Sequence, residues 1–201
     1  MSYNVQIEKK AAKVVKAALF LFLTICFAAC TEKESVISGN LPDATYDGEM
    51  VYLVPIKDAS SKTVDSTLIK DSHFQFKVKP EKQNKIFIIR VRPILRVKLQ
   101  EILVASEPGT ISVNLDAPSS SSGTPLNQTL QQWKEKKYVF DSTYYAIRRQ
   151  YNKESDESEK ARLQSEADET MKEYRTYADS LAERNKNNAV GQFILSLNEH
   201  P

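Results

Sequence analysis

Histidine and cysteine, the side chains that most often supply acid–base, redox or metal chemistry near neutral pH, are scarce in this chain. His73 and His200 are the only histidines, and Cys26 and Cys30 are the only cysteines. No carboxylate spacing beside either histidine supports a zinc site. The sequence also lacks a glycine-rich phosphate loop and a G-x-S-x-G nucleophile elbow. We therefore predict no catalytic residue, no metal site and no cofactor.

Two stretches that contain carboxylates have both a chemical and a structural interpretation. Asp65-Ser66-Thr67 places a hydroxyl beside a carboxylate, but without a histidine partner it is typical of polar strand residues. The acidic run Glu154–Glu159 could bind a cation, yet such a run is more typical of a solvated turn between helices. The hypothesis that the protein is an enzyme with dispersed carboxylates remains open, although no particular residue supports it.

The N-terminal segment has the three parts of an export signal. Four lysines between residues 9 and 16 precede 13 mostly apolar residues, 17–29, and the small Ala28 and Ala29 precede Cys30. A membrane-spanning helix needs roughly 20 apolar residues, so the short run favours a cleaved signal. Phe27-Ala28-Ala29-Cys30 resembles a bacterial lipobox. We predict a lipoprotein signal peptide over 1–29, lipidation of Cys30 and a tether over 30–35; the alternative is an ordinary signal peptide with Cys30 uninvolved.

Lipidation of Cys30 would determine where in the cell the protein is located. Several acyl chains on one residue suffice for stable anchoring, so we predict attachment to the bacterial cell envelope, at the outer membrane, on its periplasmic or its surface face. The whole chain has 28 basic and 26 acidic residues, and removal of residues 1–29 takes away four lysines and one glutamate. The remaining 24 basic and 25 acidic residues give no charge argument for nucleic acid.

Residues 36–117 carry strand signals. Phe74, Phe76 and Val78 alternate with polar residues, which is the period of a half-buried strand. Asp71-Ser72 predicts a tight hairpin before this strand, and Pro108-Gly109 predicts another turn, between strands over 100–105 and 110–116 that we expect to pair. Six or seven short strands at this spacing predict an antiparallel β-sandwich or open barrel.

The period changes after a serine-rich stretch, 118–125, which we interpret as an exposed linker. Residues 126–198 follow a helical spacing, with a polar break at 152–157 and a short final apolar segment. One face of the first predicted helix is apolar and aromatic except for Lys137, and we call it the seam: Leu126, Leu130, Trp133, Lys137, Phe140, Tyr144, Ile147 and Tyr151. The predicted class is therefore α+β, with a β-sandwich or open barrel followed by a C-terminal helical hairpin.

A second aromatic stripe lies off this seam. Tyr138 and Tyr145 stand seven residues apart, with Arg148 and Arg149 beside them. The stripe could pack on the β-rich domain and be buried there. Alternatively it forms a partner surface, because Tyr and Arg concentrate binding energy at interfaces.

Five stretches occur in an order that resembles one known family: VYLVP, TVDSTLIKDSHFQFKVK, ASEPGTISVNLD, GTPLNQTLQQW and NNAVGQFIL. The family is the β-rich domain of unknown function that precedes the thioredoxin-like domain in TlpA/ResA-type thiol–disulfide oxidoreductase lipoproteins of Bacteroidetes. The resemblance covers roughly residues 36–197 and departs from the family at Ser72, where glycine is common in the turn. A thioredoxin-like domain would begin after residue 201, and no C-x-x-C motif occurs before it. The resemblance thus implies the appended domain rather than the oxidoreductase.

Two functional hypotheses follow, both of them non-enzymatic. The first is a membrane-anchored envelope lipoprotein that binds a protein or ligand, with an envelope protein as the expected partner. The second is an accessory subunit that acts in trans with a separate thioredoxin-like thiol–disulfide oxidoreductase. A stable partner purified without redox activity would favour the first hypothesis, and a neighbouring gene that encodes a lone thioredoxin-like domain would favour the second.

Overall fold

A computed structural model describes residues 34–57, 59–60, 62–79, 81 and 83–198, and these residues belong to one compact unit. The β-rich part contains eight strands: β1 Ser35–Asn40, β2 Met50–Pro55, β3 Asp65–Leu68, β4 His73–Val78, β5 Ile86–Val91, β6 Ile102–Ala105, β7 Gly109–Asn114 and β8 Ser120–Ser122. Three helices follow: α1 Pro125–Tyr151, α2 Glu157–Arg184 and α3 Ala189–Asn198.

The strands form two four-stranded sheets. The first has the order β4-β1-β7-β8 and the second the order β3-β2-β5-β6. All neighbouring strands are antiparallel except β1 and β7, which run parallel with Ser35 opposite Gly109. The predicted α+β class, with a sandwich followed by helices, is confirmed. The two sheets are mostly antiparallel, as the sandwich prediction expects, and contain this one parallel pair.

The core of the sandwich consists of apolar side chains from both sheets. Burial alternates along several of the strands, as in β4, where Phe74 and Phe76 are buried and Gln75 and Lys77 are exposed. The two phenylalanine rings meet edge to face, with centroids 5.8 Å apart. Gly39 of β1 lies directly against Phe74, because a β-carbon there would come within 2.0 Å of the ring. The lack of a side chain at Gly39 therefore makes room for the ring of Phe74.

The turn predicted at Asp71-Ser72 is present. Lys70 and His73 exchange backbone hydrogen bonds of 2.9 Å, and both central residues have positive φ, 52° and 58°. Neither residue is a glycine, so the conformation needs outside support. The carboxylate of Asp47 supplies it by accepting the backbone N–H of Asp71 and of Ser72, each at 2.9 Å.

Two predicted strand pairings are wrong. Strands β3 and β4 share the tight turn but then separate into different sheets, and β6 and β7 do the same across Pro108-Gly109. Gly109 donates instead to the carbonyl of Glu34 at 3.1 Å, which starts the pairing of β7 with β1. A tight turn reverses the direction of the chain. It does not determine which strand the next strand pairs with, because that depends on the core that forms.

The exposed linker predicted over 118–125 is also corrected. Ser120–Ser122 form β8 on the edge of the first sheet, and Ser119, Ser121 and Thr124 are buried. The hydroxyl of Ser119 donates to Asp116 at 2.8 Å and accepts from the backbone N–H of Asp116 at 3.0 Å. These hydrogen bonds satisfy the hydroxyl of Ser119, which burial removes from water.

This arrangement predicts the order of limited proteolysis. Of the two polar segments that flank α1, the turn over 152–156 should be cut first by a broad-specificity protease, because residues 118–124 are paired and partly buried. The cut sites are read by mass spectrometry, with the urea-unfolded chain as the control that both segments are cleavable. Equal early cutting in both segments would show that the pairing of β8 with β7 does not protect residues 118–124.

The helices form the predicted hairpin. Phe140 stacks on Tyr174 with centroids 4.3 Å apart, and Arg148 bonds Gln164, so residues farther along α1 meet residues earlier in α2. The two helices are therefore antiparallel. The final apolar segment is the helix α3, whose Val190 and Ile194 are buried with Ile86 of β5.

Candidate functional site

Cys30 lies outside the described residues, and so does His200. In the part of the chain that the structure describes, no helix is long and apolar enough to cross a membrane. The lipid attachment predicted at Cys30 therefore stays a prediction from sequence.

The residues of the β-rich part that could take part in chemistry lie in different sheets, His73 on β4 and Asp65 on β3. His73 contacts Asn40 through its Nδ1 atom at 3.1 Å. Asp65 uses its carboxylate to accept the backbone N–H of Ser66 at 2.7 Å, on the edge strand β3. No group of three His, Cys, Asp or Glu side chains suited to a metal ion occurs among the described residues.

Tyr138 and Tyr145 are the most exposed aromatic residues of the described chain. Tyr138 is 71% exposed and Tyr145 is 58% exposed, and Val139 between them is 57% exposed. The interpretation that this stripe packs on the β-rich domain is therefore wrong. We use the name aromatic face for Tyr138, Val139, Tyr145 and the exposed Arg149.

Two hydroxyl groups beside the aromatic face are directed back into α1. Ser142 Oγ donates to the carbonyl of Val139 at 2.8 Å, and Thr143 Oγ1 donates to the same carbonyl at 3.0 Å. Their hydrogen-bonding capacity is thus partly used within the helix. The surface between the two tyrosines consequently offers rings and aliphatic carbon more than free donors.

The two arginines have different surroundings. Arg148 donates to Gln164 Oε1 at 2.8 Å, and its guanidinium lies 4.7 Å from the ring centre of Tyr151. It therefore ties α1 to α2. Arg149 is exposed and has no ion pair with another described residue. Of the two predicted surface cations, Arg148 would have to give up its contacts with Gln164 and Tyr151 to reach a partner, whereas Arg149 is exposed.

The aromatic face stands on a packed part of the hairpin. Ile147, Leu163 and Ala167 form a small core there, with Tyr144 and Tyr151 against it. The ring of Tyr145 meets that of Tyr144 edge-on at 5.8 Å, which joins the exposed stripe to the buried seam. Because Tyr145 rests on side chains that are already packed, its ring requires little additional ordering on binding.

The sequence interpretation missed Asn127, which is fully buried on the first turn of α1. Its Oδ1 accepts the backbone N–H of Ala105 at 2.9 Å, and its Nδ2 donates to the carbonyl of Ala105 at 2.8 Å. The same Nδ2 donates to Thr124 Oγ1 at 2.9 Å. Asn127 thus gives the free edge of β6 the partner that another strand would give. The sequence contained one signal for this role. Asn127 is an amide that stands three residues before Leu130, on the apolar side of the helix.

Lys134 is a second residue that the pattern did not single out. Its Nζ donates to the carbonyl of Ser119 at 2.6 Å, which fixes α1 to the segment before β8. Burial lowers the pKa of Lys134 to about 8, and the nearby charge of Glu135 opposes this shift only in part. The side chain remains mostly protonated at pH 7. Lys134 is best explained as a link between α1 and the sheet.

Residues 35–130 match the model of a family described as "Domain of unknown function (DUF4369)". The match covers slightly under half of the chain, from β1 to the first turns of α1, and includes Asn127. Among curated proteins and solved structures, none was found to match. The β-rich part of this chain is therefore similar to a domain whose description assigns no activity.

Proposed function

We propose that this protein is a non-enzymatic lipoprotein of the bacterial envelope, anchored through Cys30, that binds a protein partner through the aromatic face of α1. The anchor is supported by the basic, apolar and small-residue order of residues 1–30. The outer membrane is the proposed location, on either its periplasmic or its surface face.

The exposure of Tyr138 and Tyr145 carries the binding part of the proposal. Single exposed apolar residues are ordinary on protein surfaces, but here two rings and a valine lie within two turns of one helix. Tyr is enriched among the residues that dominate interface energies, because its ring buries a large area and its hydroxyl still finds a partner. The aromatic face is thus suited to being buried in an interface with another protein.

The charge beside the rings indicates the chemistry of the partner. Arg149 supplies an exposed cation next to an otherwise aromatic and aliphatic surface. A complementary protein surface would combine an apolar pocket for the tyrosines with a carboxylate for Arg149. Such a surface has charge and shape requirements that few unrelated proteins would meet.

The double substitution Tyr138→Ala with Tyr145→Ala tests this proposal. Both rings are largely exposed, so we expect the free energy of unfolding to change by less than about 1 kcal/mol. The partner captured by the wild-type chain from envelope extracts should be lost, because truncation of a central interface residue costs about 2 kcal/mol or more. Quantitative mass spectrometry of the captured proteins gives the measurement.

Two variants serve as controls. Gln128→Ala with Gln132→Ala alters exposed positions of the same helix and should retain the partner. Phe140→Ala removes the ring stacked on Tyr174 and should lower the melting temperature. The proposal fails if the double tyrosine variant is strongly destabilised or keeps its partners at wild-type levels.

The second candidate function is the accessory role to a separate thioredoxin-like oxidoreductase. It is supported by the order of the five family-like stretches, together with the match of residues 35–130 to a domain of unknown function. The same capture experiment addresses it, since the enriched protein would then carry a C-x-x-C motif. Enrichment of partners that all lack this motif would exclude the accessory role and leave the binding role.

A further inference from the structure

A cleft of about 1120 Å³ opens at one end of the sandwich. It lies where β2 and β4 end and where β5 begins, since Pro55, Val78 and Ile86 all line it. Helix α3 forms another wall with Phe193 and Leu197. The volume slightly exceeds the range of about 300–1,000 Å³ that is usual for small-molecule sites.

The walls of the cleft are apolar and partly open to water. Pro55 and Phe87 are buried beneath it, whereas Ile56 is 41% exposed and Leu197 is 40% exposed. Covering exposed aliphatic side chains of one concave site with an apolar group is favourable, because it removes their surface from water. These walls therefore favour a ligand with a hydrocarbon part.

The rim of the cleft is rich in lysine. Among the residues that the structure describes, its charged lining consists of four lysines and two acids: Lys57, Lys77, Lys79, Lys85, Asp65 and Glu81. Lys85 is held by Glu81, with 2.7 Å between Nζ and the carboxylate. The other three lysines are without an ion pair to any residue that the structure describes, so the rim has an excess of positive charge. That excess complements an anionic head group.

We propose that this cleft binds a single-chain anionic amphiphile, with the acyl chain against Phe193, Leu197 and Ile56 and the carboxylate or phosphate head at Lys77 and Lys79. The cleft joins the two requirements of such a ligand in one concave site. Neither requirement alone would select an amphiphile, because the walls without the lysines would accept any apolar group.

The position of the cleft agrees with this ligand. Ser35 pairs with Val78, so the cleft opens at the end of the sandwich where the chain enters β1. Cys30 precedes Glu34 by four residues, which span at most about 14 Å when extended. The anchor proposed above would hold this end near the bilayer. Amphiphile binding itself does not depend on that anchor or on the aromatic face.

Intrinsic fluorescence can report occupancy of the cleft. Trp133 is the only tryptophan of the chain, and its ring meets Phe193 edge-on with centroids 5.7 Å apart. A chain that packs on Phe193 should change the surroundings of this indole. The full chain, reconstituted in phosphatidylcholine vesicles, would be titrated with dodecanoate below its micellar concentration, and with dodecyl phosphate to distinguish the two head groups.

Dodecanol and acetate separate the contributions of chain and charge. We expect saturable emission changes with at least one anionic amphiphile, about tenfold weaker binding of dodecanol and no response to acetate. Equal binding of dodecanol and both anions would overturn the proposal, because the lysines would then have no role. Absence of a saturable response to either anion would also overturn it.

Variants locate the response in the cleft. Lys77→Gln with Lys79→Gln should weaken binding of the anion about tenfold and leave dodecanol unaffected, and Leu197→Ser should weaken both several-fold. Lys98→Gln and Val97→Ser are matched controls, because both residues are exposed and follow β5 at the opposite end of the sandwich. Wild-type affinity in the lysine variant, or an equal loss in the controls, would contradict the assignment.

Discussion

Replacement of Cys30 by alanine is expected to abolish lipidation and to release the protein from the membrane fraction. The thiol of Cys30 is the only attachment point that the lipobox-like stretch offers, so the loss should be complete rather than partial. The measurement is incorporation of a labelled fatty acid into the chain, followed by fractionation of membranes and soluble extract.

Cys26→Ala is the matched control for this experiment. Cys26 lies four residues earlier in the segment that we expect to be removed, so its substitution should leave both lipidation and membrane attachment unchanged. A Cys30→Ala protein that still takes up labelled fatty acid would disprove the anchor and with it the proposed location. Binding through the aromatic face would have to be judged separately.

Replacement of Asn127 by alanine is expected to cost about 3 kcal/mol of unfolding free energy. The substitution leaves the backbone N–H and carbonyl of Ala105 without partners in a buried setting, and each such group costs about 1–3 kcal/mol. Chemical denaturation, with the midpoint and slope compared between variant and wild type, gives the value. Gln128→Ala, at the adjacent exposed position, should change it by less than about 0.5 kcal/mol.

Asn127→Asp separates the amide's two roles. The carboxylate can still accept from the N–H of Ala105, but it cannot donate to the carbonyl of Ala105 or to Thr124. Burial would raise the pKa of the new carboxyl, so the folded state would bind a proton more readily than the unfolded state. The deficit relative to wild type should therefore be larger at pH 7.5 than at pH 5. A deficit independent of pH would mean that this site is open to water.

Local patterns predict much of the secondary structure. The alternation of Phe74 and Phe76 with polar residues predicts the correct inward face of β4. The helical seam was also visible, since Trp133 and Ile147 are buried where the period places them. These features depend on side chains a few residues apart, and a single sequence contains that information.

The candidate site could be predicted only in part. Tyr138 and Tyr145 were identified by their spacing, but their spacing is equally compatible with a helix covered by the sheet. Their exposure results from the way α1 packs, because its first turns meet β6 and β8 while the part around Ile147 packs only on α2. The cleft was not predicted at all, since its walls come from Pro55, Phe87 and Phe193, which are far apart along the chain.

The sequence by itself determined the export signal proposed for residues 1–30. It also determined the change from the strand period to the helix period of apolar residues and most element positions. Each of these depends on residues that are neighbours along the chain. The tertiary structure decided the rest. It placed β3 and β4 in different sheets, made Ser120–Ser122 a strand and turned Asn127 inward as a partner for β6. The physical reason is that backbone groups bond whichever partners the completed core brings within reach, and a local pattern does not specify those partners.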